Sequence, residues 1–249
     1  MDSRKYGRTF HFDFSPGTTS DDRINRDWFE HMQKMNEWVH TEKLDGENRC
    51  LNQYGIFARS HAAPTRNPWA NHIKPKYEMI KNDLKEGNIE LFGEDIYAIH
   101  SIYYPNIKEH FYLFGVRIMD KWVSWEEVEW YASVFDFPTV PRLGYRFLNW
   151  DIVENLTDLD YVKEEVKNKV LSLASQPSTF GSHQVLGRGE MGEPCTMEGV
   201  VTRNYNEFPV ALQHENIFKY VRKGHVKTDE HWSRNWKRAP LIWESTREI

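Results

Sequence analysis

Residues 42–48 read Glu42-Lys43-Leu44-Asp45-Gly46-Glu47-Asn48, and this stretch decides the fold. From Val39 to Arg59 the chain alternates short apolar runs with Asp45-Gly46 and Tyr54-Gly55 punctuation, which predicts strand–turn–strand. A lysine two residues before an Asp-Gly turn, at the end of an apolar strand, is placed to point into a cleft. Protonated lysine is a poor nucleophile, and nearby cations or burial free its lone pair. Taken alone, the stretch also fits a solvent-exposed hairpin turn. The rest of the chain decides between the two.

Working outward, an Asp-rich start and the helical spacing of Ile24, Trp28, Met32, Met35 and Trp38 predict a helix over 21–38. Pro64, Pro68 and Pro75 interrupt residues 60–88, with a helix expected from about Lys76 to Lys85 and ended by Gly87. Ile89–Phe92 and Tyr112–Ile118 are strand candidates. Ser124-Trp-Glu-Glu127 is a capping box, opening a helix to about Phe135. Val162, Val166, Val170 and Leu173 share one face of a helix over 157–174. Gln176–Thr196, rich in Gly, Ser and Pro, reads as loop, whereas Glu198–Arg203 and Ile217–Tyr220 are strand-like. With no repeats and no interdomain linker, the expectation is one α+β domain over 1–249. It is built on antiparallel sheets with flanking helices, and 224–249 form a short basic and aromatic C-terminal segment.

Further pieces follow Lys43 in order: Phe-Ala-Arg59-Ser-His, Leu-Phe-Gly-Glu94-Asp, Phe-Tyr112-Leu-Phe114-Gly-Val, Met-Glu198-Gly-Val-Val-Thr-Arg and Ile-Phe-Lys219-Tyr-Val-Arg-Lys223. The ordered set spans residues 42 to 223. It resembles the nucleotidyltransferase motifs shared by ATP-dependent RNA ligases, DNA ligases and mRNA capping enzymes. The likeness is greatest to the RNA ligases of the phage T4 RNA ligase 2 group, whose Glu-Lys-x-Asp/His-Gly-x-Asn pattern is met by Glu42, Lys43, Asp45, Gly46 and Asn48.

The resemblance implies a nucleotidyltransferase (ATP-grasp-like ligase adenylation) fold, with ATP and Mg²⁺ or Mn²⁺ as cofactors. It implies an RNA ligase that joins 5′-phosphate to 3′-hydroxyl ends through lysyl-AMP, in RNA repair. Lys43 would attack the α-phosphate. Glu42 would accept from the adenine amino group, Asn48 would contact the nucleotide and the RNA end, and Arg59 would grip phosphate. Glu94 would hold the ribose hydroxyls and Phe114 would stack on adenine, with Tyr112 a rival. Glu198 would act beside the metal, and Lys219 would steady the α-phosphate. Asp45 and Gly46 complete the nucleotide-binding set. Each role has a physical rationale: a triphosphate repels a nucleophile, so cations such as Lys219 and Arg59 are needed around it, and hard carboxylate oxygens suit Mg²⁺. The same cations are expected to disfavour a protonated Lys43.

The chain departs from its relatives in two respects. Residues 224–249 and 1–41 are too few for an OB-fold domain, which argues against DNA ligases and capping enzymes. This leaves open a partner protein that supplies an RNA-binding domain. The Lys-x-Lys of the last motif is here Lys219-x-Val221, so Arg222 and Lys223 compete as the second basic residue.

The net charge of -5 counts mildly against a nucleic-acid binder, but basic residues cluster beside the motifs, at Arg59–Lys81 and Lys219–Arg238. Aromatic residues reach 14%, which a well-filled core explains more simply than base stacking. Two cysteines without CxxC spacing, no long apolar run and no signal-peptide core predict a cytoplasmic protein with no membrane partner. His214, His225 and His231 near Cys195 lack zinc-ligand spacing. Gly187–Gly192 lacks the strand and the Lys-Ser/Thr ending of a phosphate loop, so a flexible loop is expected. Trp232, Trp236 and Trp243, interleaved with Arg234, Lys237 and Arg238, read first as a tail packed on the domain and second as a single-strand contact. The rival functions are a minimal ATP-dependent DNA ligase and a non-catalytic RNA-binding module on a ligase fold.

Overall fold

The computed structural model describes residues 5–148, 150, 158–186, 190–224, 226 and 232–245. The first sheet runs, in spatial order, β10 (Arg142–Phe147), β3 (Glu37–Lys43), β13 (Gly199–Asn204), β15 (Ile217–Val221), β1 (Phe10–Phe12) and β2 (Ile24–Asn25). The second runs β14 (Phe208–Pro209), β9 (Lys121–Trp122), β8 (Phe111–Ile118), β6 (Ile89–Asp95), β4 (Glu47–Asn52) and β5 (Gly55–Ala58). A small third sheet joins β12 (Met191–Pro194), β11 (His183–Val185) and β7 (Ile102–Tyr103). Neighbours pair antiparallel except at β1, which lies parallel to both β15 and β2.

Strand β3 is buried from Trp38 to Glu42 because both of its faces are covered. Successive side chains point to opposite faces. Trp38 accordingly joins a core with Trp28 and Met32 of helix α1 (Trp28–Gln33) and with Val162, Val166 and Val170 of α4 (Leu159–Ala174). Val39 joins the other core, which contains Leu91, Leu113 and Val116 together with side chains of α2 (Lys74–Glu86) and α3 (Trp125–Val134). The chain leaves the first sheet at Lys43 and enters the second at Glu47. That crossing requires a residue without a side chain, since a Cβ at Gly46 would lie 2.5 Å from the Asp95 carbonyl oxygen.

The strand–turn–strand over 39–59, the helix before Gly87, the Ser124–Glu127 capping box and the valine face of 159–174 are as expected. The helix over 21–38 is not. Ile24 and Asn25 pair with β1, only Trp28–Gln33 is helical, and Trp38 belongs to β3. Trp28, Met32, Met35 and Trp38 do share one core, reached by a short helix followed by a strand, whereas Ile24 is exposed. Nor is 176–196 wholly loop, because it contains β11 and β12. Of the Gly187–Gly192 stretch, 187–189 lie outside the described residues, and Met191 and Gly192 are in β12. The aromatic excess fills the cores: Trp28, Trp38, Trp122 and Trp125 are fully buried. No helix among the described residues is long and apolar enough to cross a membrane.

Candidate active site

A cavity of about 540 Å³ opens between the two sheets, within the size range of small-molecule sites. The Lys43–Glu47 crossing forms one wall. Glu42, Lys43, Gly46, Asn48, Arg59, Glu94, Phe114 and Lys219 all line it. Asn48 and Glu94 are direct partners in the β4–β6 ladder, so they share one sheet face. In the first sheet, β13 lies between β3 and β15 and so brings Lys43 and Lys219 to the same end.

Lys43 Nζ donates to Glu198 Oε2 at 2.7 Å. Burial works against the ammonium, but Glu198, Glu94 and Asp45 outweigh it and raise Lys43 above its ordinary 10.5. The expectation that cations keep Lys43 deprotonated is therefore corrected: three carboxylates, not cations, dominate its surroundings. Lys219 is the residue whose pKa falls, through burial and the Lys43 charge. Its Nζ donates to Asp22 Oδ1 at 3.3 Å, and Asp22 also pairs with His11 at 3.1 Å. Burial pushes the Glu94 carboxyl up to about 8. The Lys43 charge and the Gly46 N–H, which donates to Glu94 at 3.1 Å, oppose that rise, and Glu198 and Asp45 add to it.

Glu42 is buried, and burial raises its pKa. Its Oε2 accepts from the Thr179 N–H at 3.0 Å, while Oε1 is buried with no hydrogen-bond partner among the described residues. An orphaned acceptor in a cavity wall is costly unless a ligand donor meets it, and an exocyclic amino group of a base fits that need.

Phe114 lines the cavity and meets Tyr6 edge-on at 5.3 Å. The β6–β8 register shifts between Phe92 and Gly93, leaving Phe114 opposite neither. Tyr112 instead packs on Phe180, and its hydroxyl accepts the Lys108 and Glu109 N–H groups. Of the two rivals, Phe114 is the one at the cavity.

Asp45 does not line the cavity. Its carboxylate accepts the N–H groups of Ser101 at 2.7 Å and Ile102 at 2.9 Å, bracing the segment before β7. Neither Arg222 nor Lys223 lines it. Arg222 donates to Gln184 Oε1 at 3.0 Å, and Lys223 is exposed.

Several lining residues lie outside the ordered motifs, Trp232 of the aromatic tail among them. Tyr6 and Thr9 arrive from the N-terminal segment, and His100 and Trp232 stack on each other at 3.8 Å. Arg203 donates to the carbonyl oxygens of Phe114 and Val123, fixing the strand that carries Phe114. It stood in the Glu198 motif and could have been singled out there. Trp232 and Trp236 pack on Trp69, which agrees with a tail folded onto the domain. Among the described residues, the zinc-type ligand atoms that converge are those of Cys50, His61 and Glu90, where Arg117 holds Glu90 at 2.6 Å. Cys195 and His214 are not among them, and His225 and His231 lie outside the described residues.

The chain resembles a Naegleria gruberi RNA ligase solved with pyrophosphate, at a TM-score of 0.50 and 17% identity over 88% of this chain and 60% of that one. It also resembles an archaeal ATP-dependent RNA ligase, at a TM-score of 0.49 and 12% identity over 88% of this chain and 48% of that one. It thus spans about 60% of the length of the Naegleria protein, and at 17% identity that likeness speaks to the fold alone. No curated protein sequence matches the chain. The family model described as RNA ligase matches residues 36–221, from the start of β3 to the end of β15, and on that match the chain belongs to the RNA ligase family.

Proposed function

We propose that this protein seals RNA 5′-phosphate to 3′-hydroxyl ends in an ATP-dependent reaction, with Lys43 as the residue that takes AMP. The observation that carries the proposal is Lys43 in the wall of a nucleotide-sized cavity, 2.7 Å from a carboxylate able to take its proton. In the first step a bond forms between Lys43 Nζ and the α-phosphorus as the bond to pyrophosphate breaks. Lys43 starts as an ammonium, so it must lose a proton, and Glu198 is the acceptor within reach. Glu42 Oε1 accepts from the adenine amino group, Phe114 stacks on the ring and Glu94 takes ribose hydroxyls. Arg59, Asn48 and Lys219 meet the phosphates and the RNA end, and Asp45 acts by holding the turn in place. AMP then passes to the 5′-phosphate, and the 3′-hydroxyl displaces it.

The hard oxygens of Glu198 and Glu94 suit Mg²⁺ or Mn²⁺, which would neutralise developing phosphate charge. RNA is preferred over DNA on family membership. An RNA-repair role in the cytoplasm, carried by a single nucleotidyltransferase domain, completes the proposal. The test is incubation with α-labelled ATP and Mg²⁺ followed by intact-mass analysis. One AMP is expected on the wild type and none on Lys43→Ala; the same adduct on the variant refutes the assignment. Faster sealing of DNA nicks than of any RNA junction refutes the RNA preference.

A further inference from the structure

A second cleft, of about 480 Å³, adjoins the first and shares Tyr6, Thr9, Arg59 and Lys219 with it. Its remaining cations come from parts of the chain that none of the ligase-like motifs includes: Lys5, Arg8 and Arg23. Five cations thus face two acids, Asp21 and Asp22. Asp22 is already engaged by the Thr19 N–H at 3.0 Å, by Lys219 and by His11, which hold its carboxyl well below the usual range despite burial. Arg8 donates to the Asp21 backbone oxygen, which pins its guanidinium at the cleft. The surplus is positive in a chain whose net charge is -5.

We propose that this second cleft receives the β- and γ-phosphates of ATP, with Lys5, Arg8 and Arg23 gripping the pyrophosphate that leaves as Lys43 is adenylylated. The proposal rests on the reading of Lys43 as the AMP acceptor. Phosphoryl transfer is roughly in line, so the leaving group must point away from the attacking nitrogen. A nucleoside seated between Glu42 and Phe114 has its phosphate chain directed toward Arg59 and Lys219, which stand where the two cavities meet. Beyond that boundary the second cleft offers Lys5, Arg8 and Arg23. The electron pair of the breaking α-phosphate–oxygen bond goes to pyrophosphate, and guanidinium groups bind such oxygens with paired N–H donors. Lys5, Arg8 and Arg23 therefore supply the positive charge that Val221 leaves out of the last motif.

The test uses the double variant Lys5→Ala/Arg23→Ala, because both residues are exposed and Arg8 has a backbone contact to keep. Three rates are measured on the full chain: adenylation against ATP concentration, loss of AMP from the adenylylated enzyme against pyrophosphate, and sealing of RNA that already carries AMP on its 5′-phosphate. The KM for ATP and that for pyrophosphate are each expected to rise about ten-fold, the scale of losing charge-assisted contacts at a wet site. Sealing of the adenylylated RNA stays as in the wild type, and Lys5→Arg/Arg23→Lys restores both constants. Unchanged constants for ATP and pyrophosphate overturn the proposal. So does an equal fall in sealing of adenylylated RNA, which would assign the cleft to the RNA backbone. A wild-type protein that forms no AMP adduct refutes the ligase reading itself, a result distinct from either.

Discussion

Replacing Glu198 by Gln keeps the side chain's shape and removes the charge against which Lys43 rests. At the observed 2.7 Å, and with an effective dielectric of about 20, the gross attraction is about 6 kcal/mol. Desolvation cancels most of it, since Glu198 is 6% and Lys43 25% exposed. Glu94 and Asp45 still face Lys43 after the change, which softens the loss. A net destabilisation of about 2 kcal/mol is expected, which for a chain of 249 residues lowers Tm by about 4–8 °C. Lys43→Met strands Glu198 in turn and costs a similar amount. The double variant loses less than the sum, with a coupling of about 2 kcal/mol. Urea denaturation of the four proteins at pH 7 measures it. The Lys43 pKa is raised by folding, so its contribution is fully present below its ordinary 10.5 and is lost as pH rises through the higher folded value. The coupling should therefore be the same at pH 6 and pH 7, both below the value of about 8 at which the neighbouring Glu94 releases its proton. Additivity within about 0.5 kcal/mol would refute the claim that these carboxylates set the charge state of Lys43.

Other outcomes follow from single contacts. Gly199→Ala puts a Cβ 1.9 Å from the Tyr220 carbonyl oxygen, across the β13–β15 ladder, and should destabilise by at least about 3 kcal/mol; an unchanged urea midpoint contradicts this. Glu94 titrates at about 8 in the folded chain against an ordinary 4.5, so the native state keeps a proton that the unfolded chain releases between those values. Its contribution to stability then falls as pH rises from 5 to 8, and Glu94→Gln should flatten the slope in guanidinium denaturation; identical slopes count against it. Arg234 and Lys237 are exposed on the C-terminal segment, whereas Arg238 is tied to Glu244 at 2.7 Å. Arg234→Ala/Lys237→Ala should weaken RNA binding about ten-fold at low salt while AMP-adduct formation is unaffected, as read by a filter-binding salt series beside intact mass.

The family was legible along the chain because its signals act over a few residues. The Glu42–Asn48 stretch needs only a strand end and a turn tight enough to demand Gly46. The Ser124 box caps its own helix within one turn. Ordered motifs then placed Glu42, Lys43, Asn48, Arg59, Glu94, Phe114 and Lys219 in one set, and all seven line one cavity.

What the chain could not declare is whatever depends on distant partners. Asp45 matches the motif but spends its carboxylate on Ser101 and Ile102, more than fifty residues away. Ile24 reads as helical until β1 offers it a ladder. Tyr112 and Phe114 have equal claims as aromatic residues on one strand, and only the register shift against β6 separates them. The charge of Lys43 runs opposite to its sequence reading, because electrostatics sums over the groups that folding gathers. Asp45 lies two residues from Lys43, but Glu94 and Glu198 come from distant segments and raise the Lys43 pKa only once the two sheets close around the cavity.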